Sequence, residues 1–205
     1  MNIERILSNN VSILVGQTNT GKTMLLADLM CKYIKAYTSP VYCYGIRNEI
    51  TDKLRPVVTS FSSIRELERI KNGIIIIDEI GELLDLENRK KKRAIERTLR
   101  LITHNNNRLV TAGLPTDFRK FLSAKATCFM YTSLTISDLI NGSLVKTTLL
   151  DYARSALGSY VLELPAGQVL CYDSLRLPEF WMDSFSYYKE FDTKKDNLSL
   201  FKKRA

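Results

Sequence analysis

Gly16-Gln17-Thr18-Asn19-Thr20-Gly21-Lys22-Thr23 has the spacing G-x-x-x-x-G-K-[ST]. The apolar run Val11, Ile13, Leu14, Val15 precedes it. Met24-Leu25-Leu26 follows, and apolar residues continue at Leu29, Met30, Tyr33 and Ile34. The flanks read as strand, glycine loop, helix, which is the context a P-loop requires. Backbone N–H groups of Gln17 to Lys22 would curl round phosphates as a nest. The helix starting near Gly21 would aim its positive end at the same charge. Gly16 and Gly21 permit the backbone angles and the close approach. Lys22 would reach the outer phosphates, and Thr23 would offer its hydroxyl to Mg²⁺. Agreement at all eight positions and both flanks weighs against a chance glycine turn.

Gly73-Ile74-Ile75-Ile76-Ile77-Asp78-Glu79 supplies the other half of such a site. Consecutive isoleucines suit a central parallel strand covered on both faces. The strand ends in two carboxylates. Asp78 would hold the metal through water, and Glu79 would orient and polarise an attacking water. The second carboxylate separates a hydrolase from a nucleotide holder. On the competing reading, the pair merely caps the next helix.

The 205 residues fit one large domain with an ample core. A hydrophobic content of 45% with 25% charged residues is ordinary for a soluble protein. The longest apolar run is too short to cross a bilayer, and Met1 to Asn10 lacks a secretory apolar core, so the expected compartment is the cytoplasm. Cys31, Cys43, Cys128 and Cys171 are scattered without a C-x-x-C, as buried reduced thiols would be. His104 is the single histidine, which excludes a histidine-rich metal site. The net charge of +8 hints at an anionic partner beyond the nucleotide.

Strands are expected at 11–15, 41–44, 73–77, 108–112 and 127–131. Helices are expected at 22–37, 62–71 (with Ser62 or Ser63 as N-cap), about 88–103 and 117–122. Asn105-Asn106-Asn107 reads as a turn, and 135–140 as a helical turn. Tyr160–Leu164 and Gln168–Tyr172 flank Pro165-Ala166-Gly167 and read as a β-hairpin, with 144–150 as a further partner. The core spans about 10–172. The rest, about 173–205, is expected to be an extension whose aromatic and basic tail begins at Asp183.

Arg89-Lys90-Lys91-Lys92-Arg93 places five cations in a row. A solvated surface is the ordinary explanation of such a run. The longer pattern is more specific. Lys90, Arg93, Arg97 and Arg100 recur on one helical face, with Ile95, Leu99 and Ile102 opposite. Such a stripe has two uses. Arg97 or Arg100 would act as an arginine finger in a neighbouring subunit's site. Lys90, Lys91, Lys92 and Arg93 would contact nucleic-acid phosphates independently of sequence.

The order of P-loop, isoleucine strand with Asp-Glu, basic helix and polar strand resembles the ASCE class of P-loop ATPases. In that class an extra strand lies between the two Walker strands, and Arg108–Pro115 would supply it here. The stretch from Arg100 through His104 to Pro115, with Phe118–Leu122 and Thr127–Tyr131, resembles the FtsK–HerA superfamily. The small size is similar to that of the viral genome-packaging ATPases of internal-membrane icosahedral viruses, including archaeal turreted ones. Relatives often end the fourth strand in a Gln or Asn sensor. Gly113 stands there, leaving Thr111 as the nearest polar candidate. Many also carry an Arg before the histidine, where this chain has Thr103. His104 reads as a structural helix-end residue.

The resemblance implies a RecA-like α/β fold with a mostly parallel sheet flanked by helices and a C-terminal β-hairpin. It implies an ATP- and Mg²⁺-dependent motor moving double-stranded DNA into a preformed capsid from the host cytoplasm, with virion association. Lys22 and Glu79 would be catalytic, and Thr23 and Asp78 would hold the metal. The motor would form a homo-oligomeric ring, a hexamer, with capsid-vertex or membrane-associated viral proteins as partners. Alternatives are a helicase, partition or assembly ATPase on the same core, or a nucleotide-gated binding module with little turnover. A nucleoside monophosphate kinase fits less well, since it needs no water-activating glutamate.

Overall fold

The computed structural model describes residues 1–46, 58–84, 97–98, 100–118, 125–134, 162–174 and 179–186. Its centre is an eight-stranded sheet in the order β10-β9-β6-β1-β5-β4-β2-β3. The strands are β1 (Val11–Val15), β2 (Val41–Tyr44), β3 (Val58–Ser60), β4 (Ile74–Ile77), β5 (Arg108–Gly113), β6 (Cys128–Tyr131), β9 (Gln168–Asp173) and β10 (Glu179–Ser184). β1 pairs in parallel with β5 and β6, β4 with β5 and β2, and β2 with β3. β5 thus lies between the strand leading into the P-loop and the strand ending in Asp78, as the ASCE reading requires.

The side chains explain why these central strands are not alternating amphiphiles. β1, β4 and β6 are buried at every position. Successive residues serve opposite faces. Leu14, Ile74, Ile76, Val110, Ala112 and Met130 pack against Leu25, Leu26, Leu29 and Met30 of α2 (Lys22–Ala36) and against Ile3 and Ile6 of α1 (Ile3–Leu7). Ile13, Val15, Ile75, Ile77, Leu109 and Tyr131 pack on the other face. There they meet Leu67 of α3 (Ile64–Leu67), Ile80 of α4 (Ile80–Leu84), Ile102 and Phe118. The result is a three-layer α/β sandwich with a core on each side of the sheet.

The expected helix over 62–71 shrinks to α3. Glu66 explains its start: the carboxylate accepts the Ser62 and Ser63 backbone amides at 3.1 and 3.0 Å and the Ser62 hydroxyl at 3.2 Å. The carboxylate reaches back, rather than a serine reaching forward. Arg97, Thr98 and 100–102 are helical and run into a 3₁₀ turn at Thr103–Asn105, with Asn106 left-handed at φ 56°. Asn107 is buried and clamps two segments: its side chain accepts Gly73 N at 2.9 Å and donates to Ile70 O at 2.8 Å.

Two expectations near the C-terminus need correction. The segment before Pro165 does not pair with 168–172. Its short strand β8 (Leu162–Glu163) pairs antiparallel with β7 (Ser133–Leu134) in a separate two-stranded sheet. The C-terminal hairpin is instead β9 with β10, antiparallel, added beside β6. So Asp183 and Ser184, where the basic tail is expected to begin, belong to the main sheet. The residues around 135–140 and 144–150, and those from 187 on, lie outside the described set.

Contacts from the other end of the chain hold β10. Arg5 bonds Glu179 at 2.5 Å and stands 3.8 Å over the Trp181 ring. Asp183 accepts Asn2 N at 2.5 Å and lies 3.1 Å from the N-terminal ammonium. Burial pushes the Asp183 carboxyl up, but the Asn2 amide, the ammonium and the Ser184 amide together hold it below its ordinary range. The folded-state pKa is therefore depressed. The stabilisation it brings is complete above the unfolded value of about 3.9 and is lost as pH falls through the folded one. Asp183→Asn should lower Tm at pH 7 by a few degrees, about 1 kcal/mol, and flatten the fall of Tm between about pH 5 and pH 3. Melting curves across that range check it, and an unchanged acid limb would remove the clasp.

Candidate active site

The P-loop leaves β1 at Val15, between two other strand ends. Gly16 N donates to Gly113 O at 3.4 Å on the β5 side, and Thr132 N donates to Val15 O at 3.0 Å on the β6 side. The loop is stitched from within. Thr20 Oγ1 donates to Gln17 O at 2.7 Å and lies 2.8 Å from Thr132 Oγ1. Asn19 takes a left-handed φ of 64°. Gly21 caps α2 at φ 89°, a value that suits glycine, and its carbonyl accepts Leu25 N at 2.9 Å. Gly16, Gln17, Thr18, Asn19, Thr20, Gly21, Lys22 and Thr23 thus form one continuous turn at the start of a 15-residue helix. Its first amides lack partners further back in the helix, which is the basis of anion binding there.

Lys22 folds over this loop. Its Nζ donates to Gly16 O at 3.0 Å and to Gln17 O at 2.9 Å. Burial lowers its pKa, opposed by the nearby charges of Asp78, Glu79 and Asp117. The ammonium therefore sits where acidic groups converge, poised on carbonyls that a phosphate oxygen would outcompete.

Asp78 closes the far side. It is 3% exposed, and its Oδ2 accepts the Thr23 hydroxyl at 2.5 Å. Its Oδ1 accepts Glu79 N at 3.1 Å. Burial raises its pKa, while the Thr23 hydroxyl opposes the shift. The helix-cap alternative fails for Asp78, whose oxygens go to Thr23 and to the next amide, not into the first turn of α4. A buried carboxylate joined to a hydroxyl beside a phosphate nest is a hard-oxygen donor set. It fits a small divalent cation such as Mg²⁺, which keeps much of its water and takes few protein ligands.

Glu79 is exposed and adopts a left-handed φ of 52°. A non-glycine residue there costs about 1–2 kcal/mol. The strain follows from two demands. Asp78 N must donate to Tyr44 O at 2.9 Å, continuing the ladder, while Glu79 O must accept Glu82 N at 3.0 Å to open α4. The turn between them throws the Glu79 side chain outward at the carboxyl ends of the strands.

The remaining expected residues are placed as follows. Thr111 is fully buried, two positions short of the end of β5, opposite Ile77 and Ile13. Its hydroxyl has no hydrogen-bond partner among the described residues and no exposed surface through which to meet a phosphate. Arg97 and Arg100 are exposed while Thr98 and Ile102 are buried, the facing expected of the stripe. The helical stretch feeds β5 at the amino ends of the strands, opposite the P-loop, where Asn72 N meets Asn105 O, so Arg100 stands nearer that end than Arg97 does. Lys90, Lys91, Lys92 and Arg93 lie outside the described residues. His104 is exposed in the 3₁₀ turn, at a helix end.

One side chain escaped the sequence reading. Asp117 accepts Leu114 N at 2.7 Å just beyond β5. A Cβ on Gly81 would come within 2.6 Å of its carboxyl, and one on Gly113 within 2.9 Å. Asp117 therefore wedges between the end of β5 and the start of α4, close enough for its charge to act on Lys22. Its only signal in the sequence was a polar residue shortly after a strand ending in Gly113.

A protein-family model described as the ATPase family associated with various cellular activities (AAA) matches residues 12–145. No curated protein matches the chain. Among solved structures, the genome packaging NTPase B204 from Sulfolobus turreted icosahedral virus 2 in complex with AMP has a TM-score of 0.63 at 12% identity, covering 91% of this chain and 100% of that one. Its complex with AMPPCP has a TM-score of 0.61 at 12% identity, covering 88% and 99%. The cytoplasmic domain of the Thermomonospora curvata Type VII Secretion ATPase EccC has a TM-score of 0.62 at 12% identity, covering 89% of this chain and 24% of that one. At such identities the likeness is one of fold. It is the fold that the FtsK–HerA resemblance implies.

Proposed function

We propose, from the premise that this chain belongs to the ATPase family associated with various cellular activities (AAA), that it is a motor ATPase translocating double-stranded DNA, working as a single-domain subunit of a homo-oligomeric ring. The observation that carries the reading is the Thr23–Asp78 contact, with Glu79 beside it: nest, metal-competent pair and second carboxylate meet at one set of strand ends. Lys22 and the loop amides hold the triphosphate. Thr23 and Asp78 hold Mg²⁺, which when bound neutralises phosphate charge. Glu79 takes a proton from a water attacking the terminal phosphorus in line, as the bond to the bridging oxygen breaks and ADP leaves.

The packaging role, in the host cytoplasm and with virion association, is supported by likeness in fold to the genome packaging NTPase B204. The whole of that chain is covered. Among the described residues no helix is long and apolar enough to cross a membrane. Arg97 and Arg100 are exposed, free to face a neighbouring subunit's cleft as a finger role requires. A hexamer and capsid-vertex or viral membrane partners complete the proposal.

An ATPase assay with and without long double-stranded DNA, at two salt concentrations, tests it. Turnover should rise with DNA at low salt, and the rise should collapse at higher salt, because loose phosphate contacts release counterions. Arg97→Ala or Arg100→Ala should bind ATP yet lose turnover in the assembled ring by about a thousandfold. Turnover indifferent to DNA at both salts overturns the DNA motor. The secretion ATPases of the same fold would then point to a protein substrate.

A further inference from the structure

We infer that Phe185 is the nucleobase platform of this nucleotide site, a flat apolar surface that stacks a purine ring beside the P-loop. The inference rests on the triphosphate-binding reading above. Direction comes first. The acid pair follows β4 and the P-loop follows β1, with β5 between them. A triphosphate whose terminal phosphorus faces Asp78 and Glu79 must send its nucleoside the other way, past Gly21 and over β6, β9 and β10.

Phe185 stands on that side. It follows β10, and its ring edge comes to 3.2 Å (Cζ) and 3.5 Å (Cε2) of the position a Cβ on Gly21 would take. Gly21 caps the helix that holds the phosphates. The ring therefore borders the nest itself. Its backbone is locked, with Phe185 N donating to Gly167 O at 2.8 Å. The strand before it is held by the Asn2–Asp183 and Arg5–Trp181 contacts. The ring is only partly buried, packed against the α2 core. A core phenylalanine would be enclosed, whereas a platform must offer a face.

The chemistry defines the ligand class. Phenylalanine has no hydrogen-bond donor or acceptor with which to read a base edge, and it gains most from the larger ring. It should favour purines over pyrimidines without separating adenine from guanine. Base stacking on an aromatic side chain is worth about a tenfold change in affinity or somewhat more.

The test is calorimetric titration of the full chain and of Phe185→Leu and Phe185→Trp, using ATP, GTP, CTP and inorganic tripolyphosphate. Leucine keeps apolar packing but loses stacking. Expected results are about tenfold weaker ATP and GTP binding in Phe185→Leu, unchanged tripolyphosphate binding, and loss of the wild-type preference for ATP over CTP. Phe185→Trp should bind purines at least as well as wild type. ATP affinity in Phe185→Leu equal to wild type overturns the platform, as does an equal loss for ATP and tripolyphosphate, which marks a packing role. Failure of the wild type to bind tripolyphosphate at all would instead strike the phosphate-site reading.

Discussion

Glu79→Gln should slow ATP turnover by about a hundredfold to ten-thousandfold while ATP still binds with near wild-type affinity. The amide has the size of the carboxylate and cannot accept a proton. It leaves the nest untouched, since the loop is stitched by Thr20, Thr132 and Lys22 and none of those bonds involves Glu79. It also leaves the backbone alone: at φ 52° glutamine is no more strained than glutamate. The comparison with Glu79→Asp separates two roles. Aspartate tolerates the left-handed region better but draws the carboxylate back by one methylene. If position matters, Glu79→Asp loses turnover too, despite an easier backbone. Single-turnover hydrolysis and equilibrium ATP binding give the two readouts. Turnover in Glu79→Gln within about threefold of wild type would assign water activation to another group and favour a nucleotide-gated module.

The parts of this site that could be read from the sequence were those whose chemistry is local. A phosphate nest needs its glycines, lysine and threonine within one turn, so residues 16–23 announce it. A strand buried on both faces needs an unbroken apolar run, so Ile74 to Ile77 announce the sheet's centre. The resemblance to the ASCE class then implied that β5 lies between them. What escaped was set by partners distant in sequence. β10 has no clean alternation because one of its sides is covered by Met1, Asn2 and Arg5, more than 170 residues away. The turn at Pro165–Gly167 looks like a hairpin loop, and Gln168 N does bond Pro165 O at 3.0 Å. Yet β8 finds β7 instead of β9. Thr111 is the polar residue nearest the end of its strand, but the register with Ile13 and Ile77 seals it in the core. Asp117 comes into the site only because Gly81 and Gly113, from different elements, leave room for its carboxylate.

The same dependence on a distant partner makes Gly16 the most exacting position in the loop. A Cβ there would lie 2.0 Å from Thr132 Oγ1 and 2.7 Å from Thr20 Oγ1. Both hydroxyls are engaged with each other, Thr20 also with Gln17 O and Thr132 also with Val15 O. Gly16→Ala must therefore break this cluster or displace the loop from β6, at a cost of about 1–3 kcal/mol in the fold and a larger loss in a nest that depends on amide positions. ATP affinity should fall by about a hundredfold. Thr132→Ala alone removes the Thr20–Thr132 hydroxyl contact and should weaken binding only by about threefold to tenfold. Combined with Gly16→Ala it opens the space the new methyl needs, so the double variant should bind ATP better than Gly16→Ala does. That sign of coupling, measured by titration on all four proteins, is specific to a steric clash. Additive losses would mean that Gly16 is needed for its backbone alone and that β6 does not shape the nest.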